Sequence, residues 1–418
     1  MSVADAAASD GYVAFRYHDF RLHFLARIVY GCALSAQGVA TGWYIYSVTH
    51  STLALGLAGL ASFVPAIGMS LFTGHFADTH NRRIILSGAY AVASLATLAL
   101  FVIVLFNVEN MVAIYACVFV GGVARAFANP AAQALTPNLV PREHFANAIT
   151  WYSSAQSASR IVGPSLGGLL YILAPETPFF LSFALVAAAA ACVFMIRNPG
   201  PPRAGAGAIT WATLSAGLRF IYSRKVILGA ISLDLFGVLF GGATALLPAV
   251  TQDILHEGPW GLGLLRSSPA AGAVLMAAFL AHAPIKGGAG KKMLIAVACY
   301  GLATIAFGFS QNLFLSMAFL AMVGAADQVS VVVRHTVVQA DTPDDMRGRV
   351  AAVNSIFVSG SSDLGDFESG LMAWLLGVVG AIAFGGAATI ACAAAWSKMF
   401  PALRDRDKLV DFQKKVGA

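Results

Sequence analysis

The sequence predicts an all-α membrane protein with twelve transmembrane helices in two pseudo-symmetric six-helix bundles. The 418 residues are 58% hydrophobic and only 11% charged, whereas soluble domains average about 25% charged. The apolar residues form stretches of roughly 18 to 28, the length that crosses a hydrocarbon core of about 30 Å. The sequence lacks the alternating ten-residue segments of a membrane β-barrel, so a helical bundle is the remaining spanning structure.

Twelve apolar stretches follow one another with short polar gaps. We expect spans at 22–47, 53–77, 83–106, 111–134, 146–173 and 178–196, then at 226–251, 260–284, 291–309, 313–338, 349–373 and 378–397. The polar connector between the halves contains a predicted surface helix, Trp211 to Tyr222. The predicted domains are therefore an N-terminal six-helix bundle at 1–197, a cytoplasmic linker at 198–225, and a C-terminal bundle with its cytoplasmic tail at 226–418.

Basic residues occupy alternate loops. Lys and Arg are absent from every odd-numbered loop and frequent in the even-numbered loops and the tail. Because loop Lys and Arg stay in the cytoplasm, both termini are predicted to be cytoplasmic in a multi-pass protein of the cytoplasmic (inner) membrane. The net charge of +6 then reflects topology rather than nucleic-acid binding.

Signals of an enzyme are missing from the sequence. The five cysteines lie at wide intervals inside apolar stretches, which fits neither a disulfide framework nor a metal site. No nucleophile motif or phosphate-binding glycine loop in its strand–helix context is present. We expect no enzymatic activity, no metal and no cofactor.

The two halves show signs of internal duplication. An offset of 202 residues aligns Gly122 with Gly324, Arg125 with Asp327, Pro141 with Pro343, Gly163 with Gly365, and Gly168 with Gly370. Paired repeats of this kind recur in transporters, although glycine-rich helices can also align by chance.

The loop between spans two and three carries the most specific motif, Gly74-His75-Phe76-Ala77-Asp78-Thr79-His80-Asn81-Arg82-Arg83. It is similar to the cytoplasmic signature of the major facilitator superfamily, and nearly the whole chain resembles that superfamily's bacterial branch of enterobactin-exporter-like transmembrane secretion effectors. The resemblance implies that Gly74, Asp78, Arg82 and Arg83 latch the two halves in one access state. A solvated turn at a helix end is the alternative. Thr79 and Asn81 depart from the family pattern, which would weaken the latch.

Two further motifs carry the resemblance. Arg160-Ile161-Val162-Gly163-Pro164-Ser165-Leu166-Gly167-Gly168 in span five is similar to a glycine-proline motif associated with exporters. Its candidate conformational residues are Gly163, Pro164, Gly167 and Gly168, and ordinary tight helix packing explains them equally well. The segment Thr342 to Arg349 resembles the loop that this branch carries before span eleven.

Charged side chains at membrane depth are costly and usually mark a pathway. Those of this chain are Arg125, Arg160, Asp234, Arg266, Asp327, Asp363, Asp366 and Glu368. We expect Arg27, Arg334 and His335 to reach the membrane interface instead.

Four acids are candidates for proton coupling: Asp234, Asp327, Asp363 and Asp366. Asp234 is the first choice, and partnering an arginine is its alternative role. Asp363 and Asp366 share a helix face with Gly370, and two neighbouring carboxylates suit proton coupling unless span eleven ends early and leaves them in a water-filled vestibule. Through the repeat, Asp327 corresponds to Arg125, and the two could pair in one access state; static packing within each half is the alternative.

The remaining candidates concern the cavity and its outer end. Residues expected to line the cavity are Gln37, Arg125, Arg160 and Arg266. We expect Trp43, Tyr44 and Tyr46 to be interfacial anchors rather than ligand contacts. Gly241, Gly242 and Pro248 predict a flexible part of span seven that could form an outer gate.

The resemblance and the embedded charges together predict a secondary active transporter. The expected activity is proton-coupled export of a small molecule, such as a siderophore, drug or metabolite, by a monomer that alternates access. Import of a metabolite and a non-transporting membrane scaffold on the same fold are the alternatives, because fold alone does not fix function.

Overall fold

The computed structural model describes residues 11–69, 72–73, 76, 80–197, 211–343 and 346–407, and every regular element within these ranges is a helix. The chain divides into two compact units. The first unit comprises Met1–Thr41 and Val64–Ala208, and the second comprises Gly42–Phe63 and Ile209–Ala418. The hairpin between the first two long helices is therefore grouped with the second half of the sequence.

Twelve long helices lie within the described ranges. In the first half they are α1 His18–Thr49, α2 Thr52–Gly68, α3 Arg82–Leu105, α4 Met111–Leu135, α5 Phe145–Leu173 and α6 Thr177–Phe194. In the second half they are α7 Lys225–Phe240, α8 Pro259–His282, α9 Ala289–Gly308, α10 Leu313–Asp341, α11 Arg347–Leu376 and α12 Val378–Met399. The predicted surface helix is present as Trp211–Ser223, and it packs on the start of α11, where Gly217 lies against the Arg349 carbonyl.

Eight of the helical segments are long and apolar enough to cross a membrane by length and composition. They are α3, α4, α6, α7 with its continuation to Ile254, α8, α9, α10 and α12. Helix α2 is apolar but shorter, and α1, α5 and α11 are long helices of more polar composition. The described residues thus confirm a helical membrane protein with several spans, while the count of twelve stays a prediction.

The first unit is built around α3, which packs against α4 and α6. Its core includes the fully buried side chains of Phe20, Leu86, Tyr90 and Leu135. Asn81 begins α3 by accepting a hydrogen bond from the Arg83 backbone N–H at 3.0 Å. Such N-caps satisfy amides that the first helical turn leaves open.

The second unit pairs α8 with α10, α9 with α12, and α7 with α11. Small residues allow these helices to approach closely. Gly301 on α9 and Gly386 on α12 face each other, and a Cβ atom on either would lie 2.6 Å from the other's carbonyl oxygen.

Span seven is interrupted where one continuous helix over 226–251 was predicted. Helix α7 ends at Phe240, and the chain continues through a 3-10 turn at Ala243–Leu246, a short helix at Leu247–Ala249 and a π-helical turn at Val250–Ile254. Gly241 and Gly242 lack the Cβ that favours helix continuation, and Pro248 lacks a backbone N–H. The Tyr300 hydroxyl donates to the Gly241 carbonyl at 2.9 Å, which satisfies an acceptor that the break leaves open.

Candidate functional site

A buried ion pair joins α7 to α10 inside the second unit. The Arg334 Nη1 atom lies 2.8 Å from the Asp234 Oδ2 atom, and each side chain is 4% exposed. The same nitrogen donates to the Asn354 Oδ1 atom on α11 at 3.4 Å. Arg334 therefore connects three helices through one guanidinium.

The expectation that Arg334 reaches the membrane interface is wrong. Arg334 stands seven residues after Asp327, which places both on the same face of α10, and that face turns towards α7. This spacing was the sequence signal for a role at the site. Asp234 is paired with an arginine, which was the alternative role expected for it. Its role as a proton carrier stays a prediction.

A cavity of about 20 Å³ adjoins the ion pair. Its walls contain five polar side chains, from Asp234, Tyr300, Asp327, Ser330 and Thr389, among apolar neighbours. The Ser330 hydroxyl and the Arg334 Nε atom are buried without a hydrogen-bond partner in the described part of the chain. A cavity of this size with several polar partners can hold one water molecule.

Asp363 and Asp366 do not line this cavity and lie along α2, although Asp366 is close enough to Tyr300 to interact with it electrostatically. A Cβ atom on Gly59 would lie 2.9 Å from the Asp366 Cβ atom and 3.3 Å from the Asp363 carbonyl oxygen. One turn further along α11, Gly370 lies against Gly56. The predicted common face of Asp366 and Gly370 is thus present, and it packs on α2 rather than opening beside Asp234.

The anchor prediction is wrong for Tyr44 and Tyr46. Tyr44 is 6% exposed and Tyr46 is 3% exposed, whereas interfacial anchors keep their rings at the lipid headgroups. The Tyr46 hydroxyl donates a hydrogen bond to the Asp253 carboxylate in the π-helical turn after α7. The interrupted part of span seven is therefore tied to the end of α1 within the second unit.

The basic pair of the loop motif packs inside the first unit. Arg82 is 3% exposed, and its Nη1 atom donates to the Ala134 carbonyl at 3.2 Å. Arg83 donates to the Ile196 carbonyl at 2.8 Å. The Ala134 carbonyl lies in the last turn of α4, and the Ile196 carbonyl lies just after the C-terminus of α6. The helix dipole favours cations at such C-termini. Gly74 and Asp78 lie outside the described residues, so the predicted latch stays a prediction.

The glycines of span five lie in a tight contact with α1. Gly163, Pro164, Gly167 and Gly168 are all buried. A Cβ atom on Gly163 would lie 2.6 Å from the Ser35 Cβ atom, and one on Gly167 would collide with the Ala36 carbonyl. The packing explanation for these glycines is therefore present in the structure, and their conformational role stays a prediction.

The residues expected to line a cavity do not converge within either unit. In the first unit Gln37 accepts a hydrogen bond from the Thr97 hydroxyl at 2.9 Å, Arg125 is half-buried and Arg160 is exposed. Arg266 is half-buried on α8 in the second unit. The predicted Arg125–Asp327 pair joins residues of different units and stays a prediction.

Clusters suited to a metal are absent from the ranges that the structure describes, where no group of three His, Cys, Asp or Glu side chains comes together. All five cysteines are free thiols.

Comparison with known proteins matches nearly the whole chain to one family. The family model described as transmembrane secretion effector matches residues 9–412. Enterobactin exporter EntS from Citrobacter koseri is 28% identical over 350 residues, covering 79% of each chain. The exporter of the same name from Shigella boydii is 26% identical over 345 residues, again covering 79% of each chain.

Solved transporters share the fold at low sequence identity. A variant of nucleoside transporter NupG matches with a TM-score of 0.72 at 13% identity, covering 92% of this chain and all of the other. A bacterial homologue of the lysosomal transporter Spinster, inward-facing and occupied, matches with a TM-score of 0.71 at 16% identity over 95% of this chain and 99% of the other. Since the family model spans nearly the entire sequence, the chain belongs to the transmembrane secretion effector family of major facilitator superfamily transporters.

Proposed function

We propose that this transporter couples the export of a small molecule to proton movement across the cytoplasmic membrane, by alternating access. It acts as a monomer with twelve spans and with both termini in the cytoplasm. The observation that carries the proposal is the buried Asp234–Arg334 pair beside a small polar cavity.

The pair supplies a switch that a proton can operate. A proton bound to Asp234 removes the charge that holds Arg334. The guanidinium then shifts towards its second contact, Asn354 on α11. Because Arg334 links α7, α10 and α11, the protonated and deprotonated states differ in contacts between helices, as a conformational switch requires. A water molecule in the cavity would carry the proton past Ser330.

Export is favoured over import by the relatives. The curated relatives with 26–28% identity are named enterobactin exporters, whereas the similar solved structures include a nucleoside transporter and share only the fold. The Asp234 switch works in either direction, so direction depends on this comparison. Enterobactin is accordingly the first compound to test.

The test is a flux measurement in proteoliposomes with an acidic interior. A proton-coupled exporter inserted inside-out accumulates enterobactin in the lumen as protons leave. We expect accumulation by the wild type, and none by Asp234→Asn. Asp341→Asn is the matched control, because Asp341 forms an ion pair with Arg406 at the end of α10, away from the cavity. Equal accumulation by the wild type with and without the pH gradient would refute proton coupling.

A further inference from the structure

A second embedded arginine lies in the first unit, surrounded by tyrosines. Arg27 stands on α1, and its Cζ atom lies 4.7 Å from the centroid of the Tyr152 ring on α5. Tyr30 on α1 stacks on Tyr90 of α3 with ring centroids 4.0 Å apart, and both lie within electrostatic reach of the guanidinium. Arg27 was expected to reach the membrane interface, but it turns into the unit. We call Arg27, Tyr30, Tyr90 and Tyr152 the Arg27 cage.

Polar atoms without partners concentrate at this cage. The Tyr30 hydroxyl is buried and has no hydrogen-bond partner within the described ranges, whereas the Tyr90 and Tyr152 hydroxyls lie close enough to Arg27 to interact with its guanidinium. The Nδ1 atom of His23, whose ring stacks on Tyr152 at 5.7 Å, is also buried without a hydrogen-bond partner in those ranges. Buried polar groups in proteins are nearly always hydrogen-bonded, so such a cluster calls for a specific explanation. Core packing alone would be served as well by phenylalanine.

The charged residues that act on the cage are arginines. No Asp or Glu occurs in α1 after Asp19, or anywhere in α3, α4, α5 or α6. Arg125 on α4 adds a second positive charge close enough to act on Tyr30. An arginine at membrane depth normally has an acidic partner or faces a ligand pathway. Here these long helices supply no such acid at the depth of the cage.

We propose that the Arg27 cage binds the anionic group of the transported molecule, a planar pair of oxygen atoms for which a carboxylate serves as the probe. A guanidinium can donate two parallel hydrogen bonds from one planar edge, which is the geometry that a carboxylate accepts. The tyrosine hydroxyls supply further donors. The inference rests on the proposed transport function, and it places anion recognition in the first unit and the proton switch in the second.

Equilibrium binding tests the cage without any proton gradient. Purified full-length protein in lipid nanodiscs is titrated with benzoate, with its neutral analogue benzamide and with inorganic phosphate. Calorimetric titration gives the affinity, and thermal unfolding with and without each probe gives the shift in Tm. We expect benzoate to bind, and benzamide and phosphate to bind more weakly by roughly tenfold or more, since a charge-assisted hydrogen-bond pair is lost or mismatched.

Three variants separate binding from packing. Tyr30→Phe removes one donor and should weaken benzoate binding several-fold while the Tm of the free protein stays equal or rises, because a buried hydroxyl without a hydrogen-bond partner in the described ranges is removed. Arg27→Lys keeps the charge but loses the planar fork, so benzoate should bind roughly tenfold more weakly. Arg21→Gln is the matched control on the exposed face of the same helix, and it should bind benzoate as the wild type does.

The opposite results would overturn the inference. Benzamide binding as tightly as benzoate would show that the site does not recognise charge. Phosphate binding more tightly than benzoate would exclude a carboxylate site. A Tyr30→Phe variant with a lower Tm and unchanged benzoate affinity would make the cage a structural core. If proton-driven flux persists in the absence of benzoate binding, only this inference fails. If binding persists without flux, the proposed function fails instead.

Discussion

Asp234 and Arg334 form a 2.8 Å ion pair between α7 and α10 in which each side chain is only 4% exposed. Removing charges from water costs several kcal/mol per ion, so buried pairs of this kind contribute little net stability. Their loss is nevertheless severe when one partner is removed, because the other stays charged and buried. A proton that neutralises Asp234 therefore changes the local energy balance more than it would at any exposed acid.

We expect Asp234→Asn to abolish pH-driven accumulation of substrate while preserving downhill exchange. The amide keeps the shape and hydrogen-bonding capacity of the side chain but removes the titratable group. Accumulation and exchange are measured in the same proteoliposomes, with and without a pH gradient.

The acids of α11 serve as the comparison for this experiment. Asp363→Asn and Asp366→Asn should each have a smaller effect, because they lie along α2 and outside the Asp234 cavity. If Asp234→Asn kept a full pH-driven gradient while Asp366→Asn lost it, the proton carrier would belong to α11. If all three variants kept it, coupling would use another ion or none.

A double-variant cycle separates the stability role of the pair from its transport role. Arg334→Gln alone leaves Asp234 unpaired and should lower the free energy of unfolding by about 3–5 kcal/mol. Combining it with Asp234→Asn removes both charges and should restore most of that loss without restoring coupling. Unfolding is followed in detergent by tryptophan fluorescence. Additive losses of stability in the double variant would show that the two side chains do not interact.

The helices were largely predictable because they depend on the composition of contiguous stretches of the chain. Apolar length and polar gaps predicted α10 at 313–338, and the structure has Leu313–Asp341. The family could also be predicted from the sequence, since its motifs are contiguous in the chain. The predicted surface helix after the linker also formed, as Trp211–Ser223.

The site was less predictable because its contacts join distant segments. Arg334 was expected to reach the interface because it stands near a span end, and only tertiary packing against α7 gives it a buried partner. Tyr46 and Asp253 lie 207 positions apart, so an aromatic residue near a span end could not be distinguished from an interfacial anchor. The interruption after Phe240 involves Gly241, Gly242 and Pro248. Whether such residues interrupt a span depends on neighbouring groups that can hydrogen-bond the freed backbone. Here the Tyr300 hydroxyl donates to the Gly241 carbonyl.

We expect both termini to face the cytoplasm, since Lys and Arg avoid every odd-numbered loop. Fusions at Ala418 provide the measurement. A fluorescent-protein fusion should be bright and an alkaline phosphatase fusion inactive, because the phosphatase requires an oxidising compartment. The reverse pattern would refute the predicted topology.

We expect Asp78→Ala to lower transport while expression stays normal, because the loop motif is predicted to hold one access state. The matched substitution is Arg83→Ala, which removes a hydrogen bond to the Ile196 carbonyl and should lower stability by about 1.5–3 kcal/mol, as charged hydrogen bonds do. Initial transport rates and thermal unfolding are measured for both. An Asp78→Ala variant with the wild-type transport rate would show that the loop motif has no role in transport by this protein.

The contact between α5 and α1 predicts opposite effects for two glycine substitutions in the first unit. Gly167→Ala drives a methyl group into the Ala36 backbone, whereas a Cβ atom on Gly121 of α4 would meet none of the described residues within 4 Å. Overpacking typically costs about 1–3 kcal/mol, while alanine in an open helical position gains roughly 0.5–1 kcal/mol over glycine. Gly167→Ala should therefore lower the unfolding temperature and slow transport, and Gly121→Ala should leave transport intact and raise stability slightly.

If Gly167→Ala has the unfolding temperature of the wild type but transports slowly, the glycine serves the conformational change rather than static packing. If both variants behave as the wild type, α1 and α5 separate easily, and the span-five motif contributes neither packing nor motion.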